Sequence, residues 1–171
     1  VTVVLSLLIC SLAAFAFVFI GWQGRDLLLT VILATLIVPF ETIAIPLLLL
    51  ASKLPWIGLD GLSYGWLNSY RVQIVPFIAD GLTVFLFVQY FKDLPGELIE
   101  AARVEGATWW QIYRKIVMPL SGPILATAAI LKFLVMYNQY LWPKMVTQEE
   151  GYRPVMVGLQ YFFQLNVAWG E

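Results

Sequence analysis

Residues Val3 to Ile20 carry no charged side chain in 18 positions, and three later stretches are nearly as apolar. A helix needs about 20 mostly apolar residues to cross the hydrocarbon core of a bilayer. Within that core every backbone N–H and C=O has to find its partner inside the protein, which leaves helices as the simplest solution for runs of this kind. The expected spans are 3–20, 27–52, 72–91 and 116–137. Composition agrees, with 61% hydrophobic and only 12% charged residues, against about a quarter charged in soluble domains. The expected fold is all-α: one polytopic transmembrane helical bundle over 1–171, with polar connections at 21–26, 53–70 and 92–115. A polar-aromatic outer loop is expected over 138–171. The first run has neither a basic leader nor a small-residue cleavage site, so it does not read as a signal peptide. In the 53–70 loop, Trp56, Tyr64 and Trp66 are expected at headgroup depth.

Several chemistries are excluded by what the chain lacks. There is no histidine, the commonest metal ligand and general base. The single cysteine, Cys10, sits in an apolar run and offers neither a disulfide nor a zinc site. No Gly-rich loop ending in Gly-Lys-Ser or Gly-Lys-Thr is present, so the chain is not expected to bind a nucleotide or other cofactor itself. A net charge of −1 gives no basic footprint for nucleic acid.

Ionisable residues inside spans are functional candidates by default. Glu41 lies between Pro39 and Pro46, where a broken helix would line a cavity or where the carboxylate would satisfy freed backbone donors. Asp80 is expected in the middle of the third span. Two readings fit Lys132: an ion pair with Asp80 inside the bundle, or a side chain that snorkels to the outer interface. Tyr137, Asn138 and Trp142 read either as pathway residues, since sugars stack on aromatic faces, or as an interfacial belt. The same belt reading extends to Tyr140, Tyr152, Tyr161, Phe162, Phe163 and Trp169.

The most informative segment is 92–115, which holds eight of the 21 charged residues in 24 positions. Pro95 suits the first turn of a helix, and Glu97 and Glu100 complement its dipole. Leu98, Ala101 and Ala102 share one low-profile face, with Glu105 a turn later. Gly106 ends that helix, and Thr108-Trp109-Trp110-Gln111 matches a capping box that opens the next. A helix resting on lipid carries bulky apolar residues opposite Lys and Arg; this one carries Ala and acids, which suits docking to protein.

Glu100-Ala101-Ala102, three residues, Gly106, nine residues, then Ile116-x-Met118-Pro119 resembles the cytoplasmic loop signature of binding-protein-dependent ABC importer permeases. In that family Leu is usual at the Met118 position, and many members carry Asp where Glu105 stands. Leu94-Pro95-x-Glu97-Leu98, Leu125-Ala126-Thr127 and Asn138-Gln139-Tyr140-Leu141-Trp142-Pro143 point to the carbohydrate-uptake branch, similar to the maltose-type second permease subunit. The resemblance is close over 92–143 and loose over 144–171, through Pro154-Val155-x-Val157-Gly158-Leu159. The 21–26 turn lacks the basic cluster often seen there, and the branch usually has six spans, so a first and a last span are expected beyond these four.

The resemblance implies a multi-pass protein of a bacterial or archaeal plasma membrane that is not an enzyme. It implies a coupling helix at 95–106 seated in a cleft of a cytoplasmic ATP-binding subunit, which uses the ATP and Mg. A second permease subunit, an extracytoplasmic solute-binding protein and membrane lipid are the other implied partners. Glu100 is then the polar contact to the ATP-binding subunit, Ala101 and Ala102 allow close packing, Gly106 permits the turn, and Ile116 and Pro119 complete the signature. Charge alone orients the chain weakly: the side holding 21–26 and 92–115 has five basic residues and the other side four. The cargo expected is a sugar, a polyol or a glycerol phosphate. A secondary transporter driven by an ion gradient is the main alternative, for which Asp80, Glu41 and broken helices would be apt.

Overall fold

The computed structural model describes residues 1–58 and 61–166, with backbone alone at 56–58, 61–63, 150 and 161–166. The expectations for Trp56, Tyr161, Phe162, Phe163 and Trp169 lie outside the described side chains. Helix α1 runs Thr2–Phe19, α2 Arg25–Ala34 with a 3-10 turn to Ile37, and α3 Phe40–Lys53. Two short strands follow, β1 Pro55–Gly58 and β2 Gly61–Tyr64, then α4 Tyr70–Ile74 with a 3-10 turn to Phe77. Next come α5 Gly81–Lys92, α6 Gly96–Val104 and α7 Trp109–Ile112, a π-helical turn Tyr113–Val117, and α8 Met118–Leu120. The chain continues as α9 Gly122–Tyr137, α10 Leu141–Val146 and α11 Val155–Asn166.

Two helical stretches, Thr2–Phe19 and Tyr70–Lys92, are each long and apolar enough to cross a membrane. Two further stretches meet the same test only as broken pairs: Arg25–Ile37 with Phe40–Lys53, and Trp109–Leu120 with Gly122–Tyr137. Prolines explain the breaks. Pro39 caps α3 in an extended conformation, because its ring fixes φ and its nitrogen cannot donate, whereas Pro46 is tolerated inside the helix. Around Pro119 the helix loosens into a π turn, in which the Met118 N–H reaches Tyr113 O five residues back. Helix α9 then leaves at 78° after Ser121. The fourth expected span, 116–137, thus contains a bend at its early prolines.

Other boundaries also move. The 53–70 segment contains an antiparallel hairpin, with Pro55 opposite Tyr64 and Gly58 opposite Gly61. Gly65, at φ +86, turns the chain so that its N–H reaches Leu54 O and the Trp66 N–H reaches Ala51 O. The 138–171 segment, expected as an outer loop, forms α10 and α11. Its composition is apolar enough to fold against other helices once Pro143 and Pro154 have marked helix starts.

The described helices fall into two compact units, Val1–Ile37 with Ile78–Lys132 and Val38–Phe77 with Phe133–Glu171. In the first, α1 packs along α5. Helix α1 presents Ser6, Cys10, Ser11 and Ala14, all fully buried, and α5 answers with Val84, Val88, Phe87 and Phe91, while Gly81 at its start lies against α2. Small residues let two backbones approach where the surrounding medium supplies no hydrophobic drive. The outward faces are apolar instead: Leu8 and Leu12 on α1, Leu27 and Val31 on α2, and Ile130 and Leu131 on α9 are all exposed. The polar atoms turned inward are matched; Ser11 Oγ and Tyr113 Oη share a hydrogen bond of 2.8 Å, and Tyr90 Oη donates to Leu120 O at 2.8 Å. In the second unit Trp142 is fully buried, its indole N–H donating to Val72 O at 2.9 Å, with Phe40 and Phe77 edge-on to its ring.

Two outcomes follow from this packing. A Cβ added at Gly81 would lie 2.8 Å from Ile32 O, so Gly81→Val is expected to destabilise the folded chain by roughly 1–3 kcal/mol, read as a lower melting temperature in detergent. Ser11→Ala and Tyr113→Phe are expected to couple by about 0.6 kcal/mol in a double-mutant cycle on unfolding free energy, and additive effects would show that the bond is not formed.

Candidate coupling loop and intramembrane ion pair

Helix α6 is defined at both ends by local chemistry. Pro95 stands at the N-cap rather than within the first turn, and Glu97 is the acid of that turn. At the C-terminus Gly106 takes φ +84, its N–H reaches Arg103 O, and the Ala107 N–H reaches Ala102 O. That 6→1 and 5→2 pairing is a Schellman motif, which satisfies carbonyls left over at the helix end. Immediately afterwards Thr108 and Gln111 close a reciprocal capping box: the Gln111 N–H donates to Thr108 Oγ1, and the Thr108 N–H donates to Gln111 Oε1. Arg103 folds over the Trp109 ring, 4.4 Å from its centroid, while its guanidinium donates to Ala107 O. The corner between α6 and α7 is thereby held by backbone, cap and cation–π contacts together. Arg103 was legible in the sequence only as one more basic residue.

The face of α6 divides more sharply than spacing alone suggested. Leu98, Glu100, Ala101 and Glu105 are exposed, whereas Ile99 and Ala102 turn into the core of the unit beside Phe91 and Ile112. Ala101 and Ala102 therefore stand on different sides of the helix. Two open grooves flank it. One of about 550 Å³ runs past Val18, Phe19, Gly96, Glu100, Arg103 and Trp109. The other, about 410 Å³, is lined by Ala102, Glu105, Gly106, Gln111, Lys115 and Ile116. Ile116 is half-buried within the π turn that Tyr113 anchors to α1, and Pro119 is exposed just beyond it.

The ionisable residues of the apolar segments part company. Asp80 does not lie mid-helix: the helix breaks over residues 78–80, and Asp80 is the N-cap of α5. Its carboxylate accepts from the Thr83 N–H at 2.9 Å and from the Thr83 hydroxyl, and the Lys132 ammonium donates to its second oxygen at 2.5 Å. Lys132 is only 6% exposed and thus does not snorkel outward. An Asp three residues ahead of a Thr, after a helix break, is the signal that would have placed this cap. Glu41 is exposed in the first turn of α3, where an acid complements the helix dipole. Tyr137 and Asn138 are exposed at the end of α9, and Tyr137 stacks on Phe133 beside an apolar groove that includes Met136, Val155 and Met156. Trp142 is neither a belt nor a pathway residue, being enclosed in the core of its own unit. No group of His, Cys, Asp and Glu able to hold a metal is found among the described residues.

Comparison with known proteins bears on the whole arrangement. A family model described as a binding-protein-dependent transport system inner membrane component matches residues 6–169. The arabinooligosaccharides transport system permease protein AraQ of Halalkalibacterium halodurans is 38% identical, covering 93% of this chain and 53% of that protein. The lactose transport system permease protein LacG of Rhizobium radiobacter is 35% identical over 88% of this chain and 52% of its own length. The sn-glycerol-3-phosphate transport system permease protein UgpE of Salmonella typhi is 34% identical, at 89% and 50%. The chain spans about half the length of these relatives. Among solved structures, a bacterial ABC transporter involved in the import of the acidic polysaccharide alginate superposes with a TM-score of 0.77, at 24% identity, over 92% of this chain and 52% of that one; this is a likeness of fold. With the match running through both apolar units and the capped loop between α5 and α9, the chain belongs to the family of binding-protein-dependent transport system inner membrane components.

Proposed function

We propose that this chain is the membrane-spanning permease part of an ATP-driven, binding-protein-dependent importer, and that it performs no catalysis. The observation that carries this reading is the capped helix α6, set between apolar helices, with an exposed face of Leu98, Glu100, Ala101 and Glu105. Four crossings follow if each broken pair is one span, and the loop signature is what supports a cytoplasmic side for α6. A cytoplasmic ATP-binding subunit, with its ATP and Mg, receives α6; a second permease subunit and an extracytoplasmic solute-binding protein complete the assembly. Glu100 supplies the polar contact, Ala101 the close approach, and Ala102 the packing that seats the helix on its own unit. Gly106 sets the corner, and Ile116 and Pro119 carry movement of that corner toward α9. Because α6 is fixed to α7 by the Schellman turn, the capping box and Arg103, closure of the ATP-binding subunits moves it as a body rather than bending it.

The cargo we infer is a neutral saccharide rather than a phosphate ester. Lys132 is the one basic residue inside the four expected spans, and its charge is taken up by Asp80. That leaves the exposed polar groups of Glu41, Tyr137 and Asn138 for the pathway, a set suited to hydroxyls and sugar faces and repulsive to a phosphate. The same pairing weakens the ion-gradient alternative, because Asp80 is already compensated.

Affinity purification of the full-length protein in mild detergent tests the assembly. An ATP-binding subunit and a second permease are expected to co-purify, and Glu100→Arg is expected to lose the ATP-binding subunit about tenfold or more by replacing a docking charge with its opposite. Recovery of the protein alone would overturn the importer reading. Gly106→Val, which forces a β-branched residue to positive φ, is expected to lower ATP-driven uptake while leaving membrane abundance intact. In vesicles, uptake of a neutral oligosaccharide is expected to be unaffected by excess sn-glycerol 3-phosphate; competition between the two would contradict the neutral-cargo assignment.

A further inference from the structure

Asp80, Thr83 and Lys132 form one hydrogen-bonded set, in which the Asp80 side chain keeps 31% of its surface exposed. The Thr83 N–H donates to Asp80 Oδ1, the Thr83 hydroxyl lies within reach of both carboxylate oxygens, and the Lys132 ammonium donates to Oδ2. Thr83 is 4% and Lys132 6% exposed, so both are enclosed by protein. The neighbouring Gly81 lies so close to Ile32 O that not even a methyl group would fit. Three elements therefore meet at one point: the start of α5, the end of α2 with its 3-10 turn, and the middle of α9.

We infer that this set is a charge-compensated clasp that positions α9 on the N-terminus of α5, and that neither charge is exchanged with cargo. The physical ground is the asymmetry of buried ion pairs. A compensated pair in an apolar setting contributes modestly to stability, but removing one partner leaves an isolated charge that the surroundings cannot solvate. Covalently the break at residues 78–80 is unconstrained by helix hydrogen bonds, so the cap and the cation together decide where α5 begins and what lies over it. Only the clause on cargo rests on the importer reading; the clasp itself concerns how α5 and residues 122–132 of α9 are held within the first unit.

The chain contains its own reporter. Cys10, the single cysteine of this sequence, is fully buried on α1, the helix that packs along α5. In native membranes, with any cysteine elsewhere in the full-length protein replaced by serine, Cys10 is expected to react slowly with N-ethylmaleimide. Asp80→Asn and Lys132→Met are each expected to raise the labelling rate about tenfold or more, because each strands one charge. The double variant Asp80→Asn/Lys132→Met is expected to return most of the way to the wild-type rate, and Lys132→Arg to stay near it. If both single variants label at the wild-type rate, or the double labels as fast as the faster single, the clasp is overturned. Should a single variant fail to accumulate, membrane abundance serves instead: recovery in the double supports the clasp, and continued absence overturns it.

Discussion

Where the surroundings are hydrocarbon, polar atoms that turn away from water have to be answered from within the protein, and this requirement organises the structure. The buried polar side chains of the first unit have partners: Ser6 with Cys10, Ser11 with Tyr113, Ser121 with Val117 O, and Thr83 and Lys132 with Asp80. The outward faces carry leucine, isoleucine and valine. Close packing of α1 on α5 through serine, cysteine and alanine does for these helices what hydrophobic burial does in a soluble core. The breaks in the long helices obey the same rule, since each occurs where a proline removes a donor and a cap, a π turn or a side chain restores the account.

The polar loop 92–115 is built on different terms. It is short, polar and capped at both ends, and its stability comes from local hydrogen bonds rather than from burial. Only Ile99 and Ala102 root α6 in the unit, while Arg103 and the capping box tie it to α7. An element fixed by caps to its neighbour transmits displacement without being melted by it, which is what a helix pushed from outside requires. Downstream, the π turn at Tyr113–Val117 and the 78° departure of α9 separate the loop from the apolar segment. A π turn exchanges one hydrogen-bond register for another at small cost, and such turns recur at functional positions.

Much was legible from residues alone. The apolar runs identified a helical membrane chain, and the capping box at Thr108 and the helix stop at Gly106 were readable because caps depend on a few side chains and on one backbone angle. The family signature over 92–143 was readable because its spacing is rigid. The helix breaks were only partly visible: Pro39 and Pro119 announced irregularity, but not that Pro46 would be accommodated or that α9 would turn at Ser121. The hairpin at 55–64 and the helices α10 and α11 were missed, since short strands and apolar-aromatic helices give no strong period in a segment already rich in glycine and aromatics.

The sequence by itself determined the medium, the helical class and the local punctuation of the loop, because hydropathy, proline and capping chemistry act over a few residues and need no distant partner. Tertiary structure alone decided the use of each polar residue. Lys132 and Asp80 are 52 positions apart, and only packing of α9 beside α5 turns two intramembrane charges into a neutral pair. Trp142 could equally have faced a headgroup, a sugar or a core; enclosure by Phe40, Phe77 and Val72 settles it, because an indole N–H buried among apolar groups goes to whichever carbonyl the fold brings within reach.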